Sequence, residues 1–198
     1  MGKALVEELI AQGYPVAGTG RSKETLEKSI GVESDIFLPL SMNLKDEMDV
    51  KNAIALATEK FGRIDVIVNN AGFTHLATIE EMSDADAREE FDINVFGTLN
   101  VIRNVLPQMR TQGCGHIFNV SSLGAYNVGP LSGIYCATKH AVKAISETLA
   151  QEVKAFNIHV TDVKPGFMRT EFFGPSHKTT APKDSSYKHL YDKNMEFY

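Results

Sequence analysis

The sequence predicts an α/β fold, with helices wound on both faces of a parallel β-sheet. Two observations carry this prediction. Helical and strand-like periodicities alternate along almost the whole chain, as strand–helix–strand units require. The strand-like run Ile64–Val68 is continuously apolar apart from Asp65, which suits a strand covered on both faces rather than one half exposed to water.

The elements follow in order. Residues 2–12 place Leu5, Leu9 and Ile10 at helical spacing, and Gly13 ends the helix. Tyr14 to Ala17 reads as a short strand running into Gly18-Thr19-Gly20-Arg21. Ser22 is an N-cap for a short helix that stops before Gly31. Asp35 to Leu40 is the next strand, and residues 46–61 form a helix with Val50, Ile54, Ala57 and Phe61 on one side. After the strand Ile64–Val68 comes a long helical region from Ser83 to Met109, with Pro107 expected to bend its last turns. Strand His116–Val120, a helix over 132–156 and strand Ile158–Val163 complete the pattern. Residues 171–198 lose periodicity and read as a loop carrying a short helix. No repeat or linker interrupts the 198 residues, which read as a single domain.

Composition narrows the function. With 43% hydrophobic and 23% charged residues the chain can bury a core and keep an ordinary soluble surface. A formal net charge of −5 argues against binding nucleic acid through its phosphates. No apolar run is long enough for a membrane span, and the N-terminus lacks the pattern of a secretory signal. Cys114 and Cys136 have no metal-ligand spacing and read as free thiols of a reducing compartment, so the cytoplasm is expected. The six histidines show no paired spacing, and no metal site is expected.

Chemistry concentrates around Tyr135. Lys139 follows it by one helical turn, so phenol and ammonium share a helix face. A nearby cation favours the phenolate, and a tyrosine placed so can give or take a proton. Ser122, thirteen residues earlier at the end of a strand, can hydrogen-bond the same substrate oxygen. The set suits proton transfer to a carbonyl or from a carbinol. Three further segments accompany it: Asn69-Asn70-Ala71-Gly72 after a strand, Asn94 within Asp92–Gly97, and Pro165-Gly166 with Thr170 four residues on.

In this order and at these separations, N-N-A-G, N-V-F-G, S-S, Y-x-x-x-K and P-G-x-x-x-T resemble the short-chain dehydrogenase/reductase family, from Gly2 to about Thr170. The resemblance implies a Rossmann-like fold and hydride transfer between a nicotinamide cofactor and an alcohol or ketone. It implies that Tyr135 is general acid and base, that Lys139 lowers its pKa and holds the nicotinamide ribose, and that Ser122 orients the substrate oxygen. It implies that Asn94 breaks regular helix bonding and positions a water linking Lys139 to solvent. Asn69, Ala71 and Gly72 are expected to line the adenosine ribose, and Pro165, Gly166, Met168 and Thr170 the nicotinamide end. Asn43 stands where the family commonly has aspartate facing the adenine. After the second strand the sequence offers Arg21 and no carboxylate, which favours NADP over NAD. Leu123, Tyr126, Val128, Leu131, Phe167, Phe172 and Phe173 suggest an apolar substrate lining, and residues 171–198 a substrate loop region. A homo-dimer or homo-tetramer, formed through the helices at 83–110 and 132–156, is the expected assembly.

The family's glycine-rich loop, T-G-x-x-x-G-x-G, is matched only by Gly2. The expectation is therefore a fold lacking the first strand and most of the diphosphate cradle, with two inner strands left unpaired and the C-terminus clipped. A rival reading follows from that departure: a cofactor-deficient scaffold or regulatory binding protein on the same fold. The complete set Asn94, Ser122, Tyr135 and Lys139 speaks against it, since a scaffold needs none of them. Epimerase or dehydratase chemistry on nucleotide sugars fits the P-G motif less well.

Overall fold

The computed structural model describes residues 1–31, 34–166, 168, 172, 177–180 and 182–195. Helix α1 (Gly2–Ala11) leads to strand β1 (Val16–Gly20), helix α2 (Lys23–Ile30) and strand β2 (Phe37–Ser41). Local chemistry sets these limits. The Ser22 hydroxyl caps α2 by accepting from the Thr25 amide at 3.1 Å, and Gly31 closes the helix in the left-handed conformation at φ 66°. β1 starts two residues later than the sequence suggests and takes in Gly18 and Gly20. These glycines signal close approach rather than a turn: a Cβ at Gly18 would stand 2.9 Å from the Phe37 ring.

Helix α3 (Glu47–Phe61) is capped by the Asp46 carboxylate and followed by strands β3 (Val66–Asn69) and β4 (Thr74–Leu76). The long helical region resolves into α4 (Asp84–Phe91), a π-helical turn (Asp92–Gly97) and α5 (Thr98–Gln112). Pro107 lies inside α5, which continues beyond it to Gln112. Strand β5 (Gly115–Val120), helix α6 (Gly133–Glu152), a 3₁₀ turn (Lys154–Phe156) and strand β6 (Ile158–Val163) follow. Strand β7 (His177–Thr179) pairs in parallel with β4, and helix α7 (Lys188–Met195) follows it. The pairing of β4 with β7 has no sequence signature, because three residues are too few to display a period.

All paired strands are parallel, β1 with β2 and β3–β5–β6 in that order. Among the described residues no ladder joins these two sets, and Val66 and Val68 on β3 are 52% and 38% exposed. This matches the expected unpaired inner strands. The main core lies where Ile102, Val105 and Met109 of α5 meet Ile117 of β5, Leu149 of α6, Val153 at the end of α6 and Ile158 of β6. A second cluster seats Ala53 and Ala57 of α3 against Leu40 of β2, with Ala17 and Leu38 beside them. Register then fixes what emerges from the sheet. Asn69 lies opposite Asn119, and Val120 opposite Val163, so three loops leave from one edge at the carboxyl ends of the strands.

Candidate active site

The first of those loops is Asn70–Phe73, the second starts at Ser121, and the third is Lys164-Pro165-Gly166. Backbone bonds stitch the last two together: Ser121 N–H donates to Val163 O at 2.8 Å and Leu123 N–H to Pro165 O at 3.1 Å. The Ser122 hydroxyl accepts the Gly124 amide at 3.0 Å and so caps the short turn Leu123–Ala125. A Cβ on Gly124 would lie 3.4 Å from both Ser122 Oγ and Tyr135 Cε1. Serine and tyrosine therefore flank the same glycine from two elements distant in sequence.

Helix α6 carries Tyr135 and Lys139 on one face. Lys139 Nζ sits 5.7 Å from the Tyr135 ring centre and donates to Val120 O at 2.9 Å. Tyr135 is half-buried, its ring 5.9 Å from that of Phe172. Lys139 is only 4% exposed. Burial disfavours its ammonium and pulls its pKa from 10.5 down to about 8, while the carboxylates of Glu90 and Asp162 act in the opposite sense.

The π-helical turn places Asn94, 1% exposed, against the first loop. Its Oδ1 accepts the Phe73 amide at 3.0 Å; its Nδ2 donates to Phe73 O at 2.9 Å and to Thr138 Oγ at 3.1 Å. Thr138 in turn donates to Tyr135 O at 2.7 Å. Gly72 completes the cluster: a Cβ there would stand 3.1 Å from Asn94 Oδ1 and 3.3 Å from Lys139 Nζ. Any larger residue would press on both groups. Asn94, Gly72, Lys139, Tyr135 and Ser122, predicted from separate motifs, thus form one contiguous set.

The other predicted residues are arranged less uniformly. Asn69 turns inward, its Nδ2 donating to Asn119 Oδ1 at 2.8 Å, while Ala71 is exposed. Gly2, in the first turn of α1, abuts the same loop, where a Cβ would meet Asn70 Nδ2 at 2.7 Å. Arg21 is exposed just past β1 and makes no ion pair among the described residues. Asn43 is exposed and spends its Oδ1 on the Lys45 amide at 3.2 Å. Pro165 is half-buried, and Gly166 and Met168 are exposed. Thr170, Phe167 and Phe173 lie outside the described residues. Of the expected substrate lining, Leu123, Tyr126 and Val128 are exposed beside the site. Leu131 is not part of it: it packs with Leu76 and Tyr191 in a core cluster of its own. Three site neighbours escaped sequence reasoning, Glu90, Thr138 and Asp162. Neither acidic residue stands out in sequence: Asp162 follows His159 and Thr161 in a strand of mixed polarity, and Glu90 sits in the charged run Asp84–Asp92.

Among the described residues no three histidine, cysteine, aspartate or glutamate side chains are grouped to hold a metal ion. No helix there is long and apolar enough to cross a membrane.

The family model for short chain dehydrogenases matches residues 1–181. The chain belongs to the short-chain dehydrogenase family. It is 37% identical over 177 residues to oxidoreductase BOA17 of Botryotinia fuckeliana, covering 89% of this chain and 65% of that protein. A short-chain dehydrogenase from Streptomyces avermitilis superposes with a TM-score of 0.90 at 33% identity, over 98% of this chain and 73% of the other. A 3-ketoacyl-(acyl-carrier-protein) reductase from Brucella melitensis, crystallised with NADH, gives 0.78 at 30% identity over 83% and 69%. The chain therefore spans less than two thirds of the length of BOA17. Its residues suit the family's nicotinamide cofactor at the ends of β3, β5 and β6: a glycine that leaves Lys139 and Asn94 clear, and a helix N-terminus at Gly2 against the Asn69–Gly72 loop.

Proposed function

We propose that the protein is an NADP(H)-dependent oxidoreductase that interconverts a fairly apolar alcohol and its ketone, with Tyr135 as general acid and base. The observation that carries this reading is the buried Lys139 beside Tyr135, with Ser122 across Gly124. A bound nicotinamide supplies the hydride to the carbonyl carbon, or accepts it in the reverse direction. Tyr135 Oη donates the proton to the carbonyl oxygen in reduction and removes it from the alcohol in oxidation. The Lys139 ammonium stabilises the phenolate that remains, and Ser122 Oγ donates to the oxygen as charge develops on it. Asn94 keeps Phe73 and Thr138 in place, and through Thr138 the first turn of α6 that carries Tyr135.

Lys139, Gly72, Ala71, Asn69, Pro165, Gly166, Met168 and Thr170 are the groups proposed to hold the cofactor, with Asn43 at the adenine. Arg21, exposed after β1 with no carboxylate beside it in sequence, supports a 2′-phosphate and hence NADP. Exposed Leu123, Tyr126 and Val128 near the site support an apolar substrate. Phe96, half exposed on the π-helical turn, is consistent with assembly into a homo-dimer or homo-tetramer.

The test is a fluorescence titration with NADPH and with NADH, followed by a ketone panel assayed for NADPH oxidation, with Tyr135→Phe as control. Tighter NADPH binding and a loss of turnover in Tyr135→Phe of at least about a hundredfold are expected. Unchanged turnover in Tyr135→Phe would refute the assignment.

A further inference from the structure

Of the two charged neighbours of Lys139 that belong to no motif, Asp162 pairs with Lys164, whereas Glu90 does not pair with any cation among the described residues. Glu90, in the last turn of α4, is 0% exposed, and neither carboxylate oxygen has a hydrogen-bond partner among the described residues. The His75 backbone amide approaches it without the geometry of a full hydrogen bond. Glu90 lies four residues before Asn94, so both occupy one side of the same helical run. Asn94 and Lys139 meet at Gly72, within 3.1 and 3.3 Å of a common point. Glu90 is buried on α4, which packs against α6, the helix of Lys139, and the two charges lie near enough to influence each other.

We propose that Glu90 is a positioning residue of this site, a buried carboxylate that acts through Lys139 by keeping its ammonium charged. The inference rests on the catalytic role proposed for Lys139.

An ionised carboxylate buried without hydrogen bonds is strongly disfavoured unless a cation compensates it. The other charged neighbours are otherwise engaged. On α4, Asp86 pairs with Ser83 and His75, Arg88 with Asp84, and Glu89 with Lys178 of β7. On β4, His75 directs its ring toward Thr180 and Asp86. On β6, Asp162 pairs with Lys164 at 2.8 Å. Lys139 on α6 is the cation that Glu90 senses. Burial raises the Glu90 pKa to about 7, with Lys139 drawing it back. Lys139, brought down to about 8 by burial, is held up first by Glu90 and then by Asp162. Each charge thus favours the other: as pH falls through neutrality Glu90 takes a proton, and as it rises Lys139 loses one. The two groups titrate as a pair.

The test is a carbon-13 NMR titration of the whole chain, labelled at glutamate Cδ and lysine Cε, with Lys139 and Glu90 assigned from Lys139→Met and Glu90→Gln spectra. In the unsubstituted protein one glutamate is expected to titrate well above the others, and one lysine well below. In Glu90→Gln the Lys139 midpoint should fall further, by about one pH unit, the effect of removing a nearby opposite charge; Glu90→Asp should restore part of it. Any alkaline limb in the pH profile of turnover should shift the same way. The absence of any glutamate titrating well above the others in the unsubstituted protein would overturn the proposal, even if Glu90→Gln does not fold. So would a Lys139 midpoint unmoved in Glu90→Gln. Both titrations are read without turnover, so loss of the catalytic assignment would not obscure them.

Discussion

Replacing Asn94 with alanine tests whether the π-helical turn is tied to the site by its side chain. Three hydrogen bonds disappear: from the Phe73 amide, to the Phe73 carbonyl and to Thr138 Oγ. Each such bond contributes about 1 kcal/mol net, and a buried group left without a partner costs about 1–3 kcal/mol. Asn94 is 1% exposed but Phe73 is half-buried, so water can partly replace the lost partners of the Phe73 backbone. The expected loss is therefore about 2–4 kcal/mol. At about 2–4 °C per kcal/mol for a domain of this size, Tm should fall by roughly 4–16 °C. Asn94→Asp sharpens the test. It keeps the acceptor for the Phe73 amide but turns an oxygen toward the Phe73 carbonyl, so it should destabilise at least as much near neutral pH. Urea unfolding followed by far-UV circular dichroism measures both variants. A loss below about 1 kcal/mol in Asn94→Ala would mean that the side chain holds neither the loop nor Thr138, and the account of how Tyr135 is positioned would fail.

Two other sites allow independent checks. Met109, fully buried among Ile102, Val105, Ile117 and Leu149, should cost about 2–5 kcal/mol when cut to alanine and under about 1.5 kcal/mol when changed to leucine; equal urea midpoints for the two variants would contradict the packing described. Glu81 accepts bonds from the Lys183 and Asp184 amides at 2.6 and 3.0 Å and from the Tyr191 hydroxyl at 2.8 Å. The Asp184 amide leads these donors in lowering the Glu81 pKa from 4.5 to about 2. A carboxyl with a depressed folded-state pKa stabilises fully above its unfolded value and loses that contribution as pH falls through the folded one. Protection of the 183–191 amides against hydrogen exchange should thus weaken between about 4.5 and 2. In Glu81→Gln it should be weaker at neutral pH and flat across that window, and an unchanged acid response would show that another group controls the clamp.

Much of the fold was legible because its signals are local. Ser22, Asp46, Gly31 and Gly62 mark helix ends through their own hydrogen bonds and backbone freedom, and apolar periodicity marks the faces that pack. The sequence misled where one residue type serves two purposes. The strand expected to end at Ala17 continues through Gly18, where the Phe37 ring leaves no room for a Cβ. Leu131 reads as substrate lining but packs against Leu76 and Tyr191. β4 and β7 are too short to show a period and exist through pairing across about a hundred residues of chain.

The same division holds at the site. The family, the alternating architecture and the spacing of Tyr135 and Lys139 are written in the chain, since helix geometry carries a four-residue separation directly into space. That Asn94, Gly72 and Ser122 reach those two residues follows from the folded chain, where parallel register brings the ends of β3, β5 and β6 together. It alone revealed Glu90 and Asp162 near Lys139. A charged residue looks the same in sequence whether it faces water or another charge, and burial, which sets its energy, belongs to the folded chain.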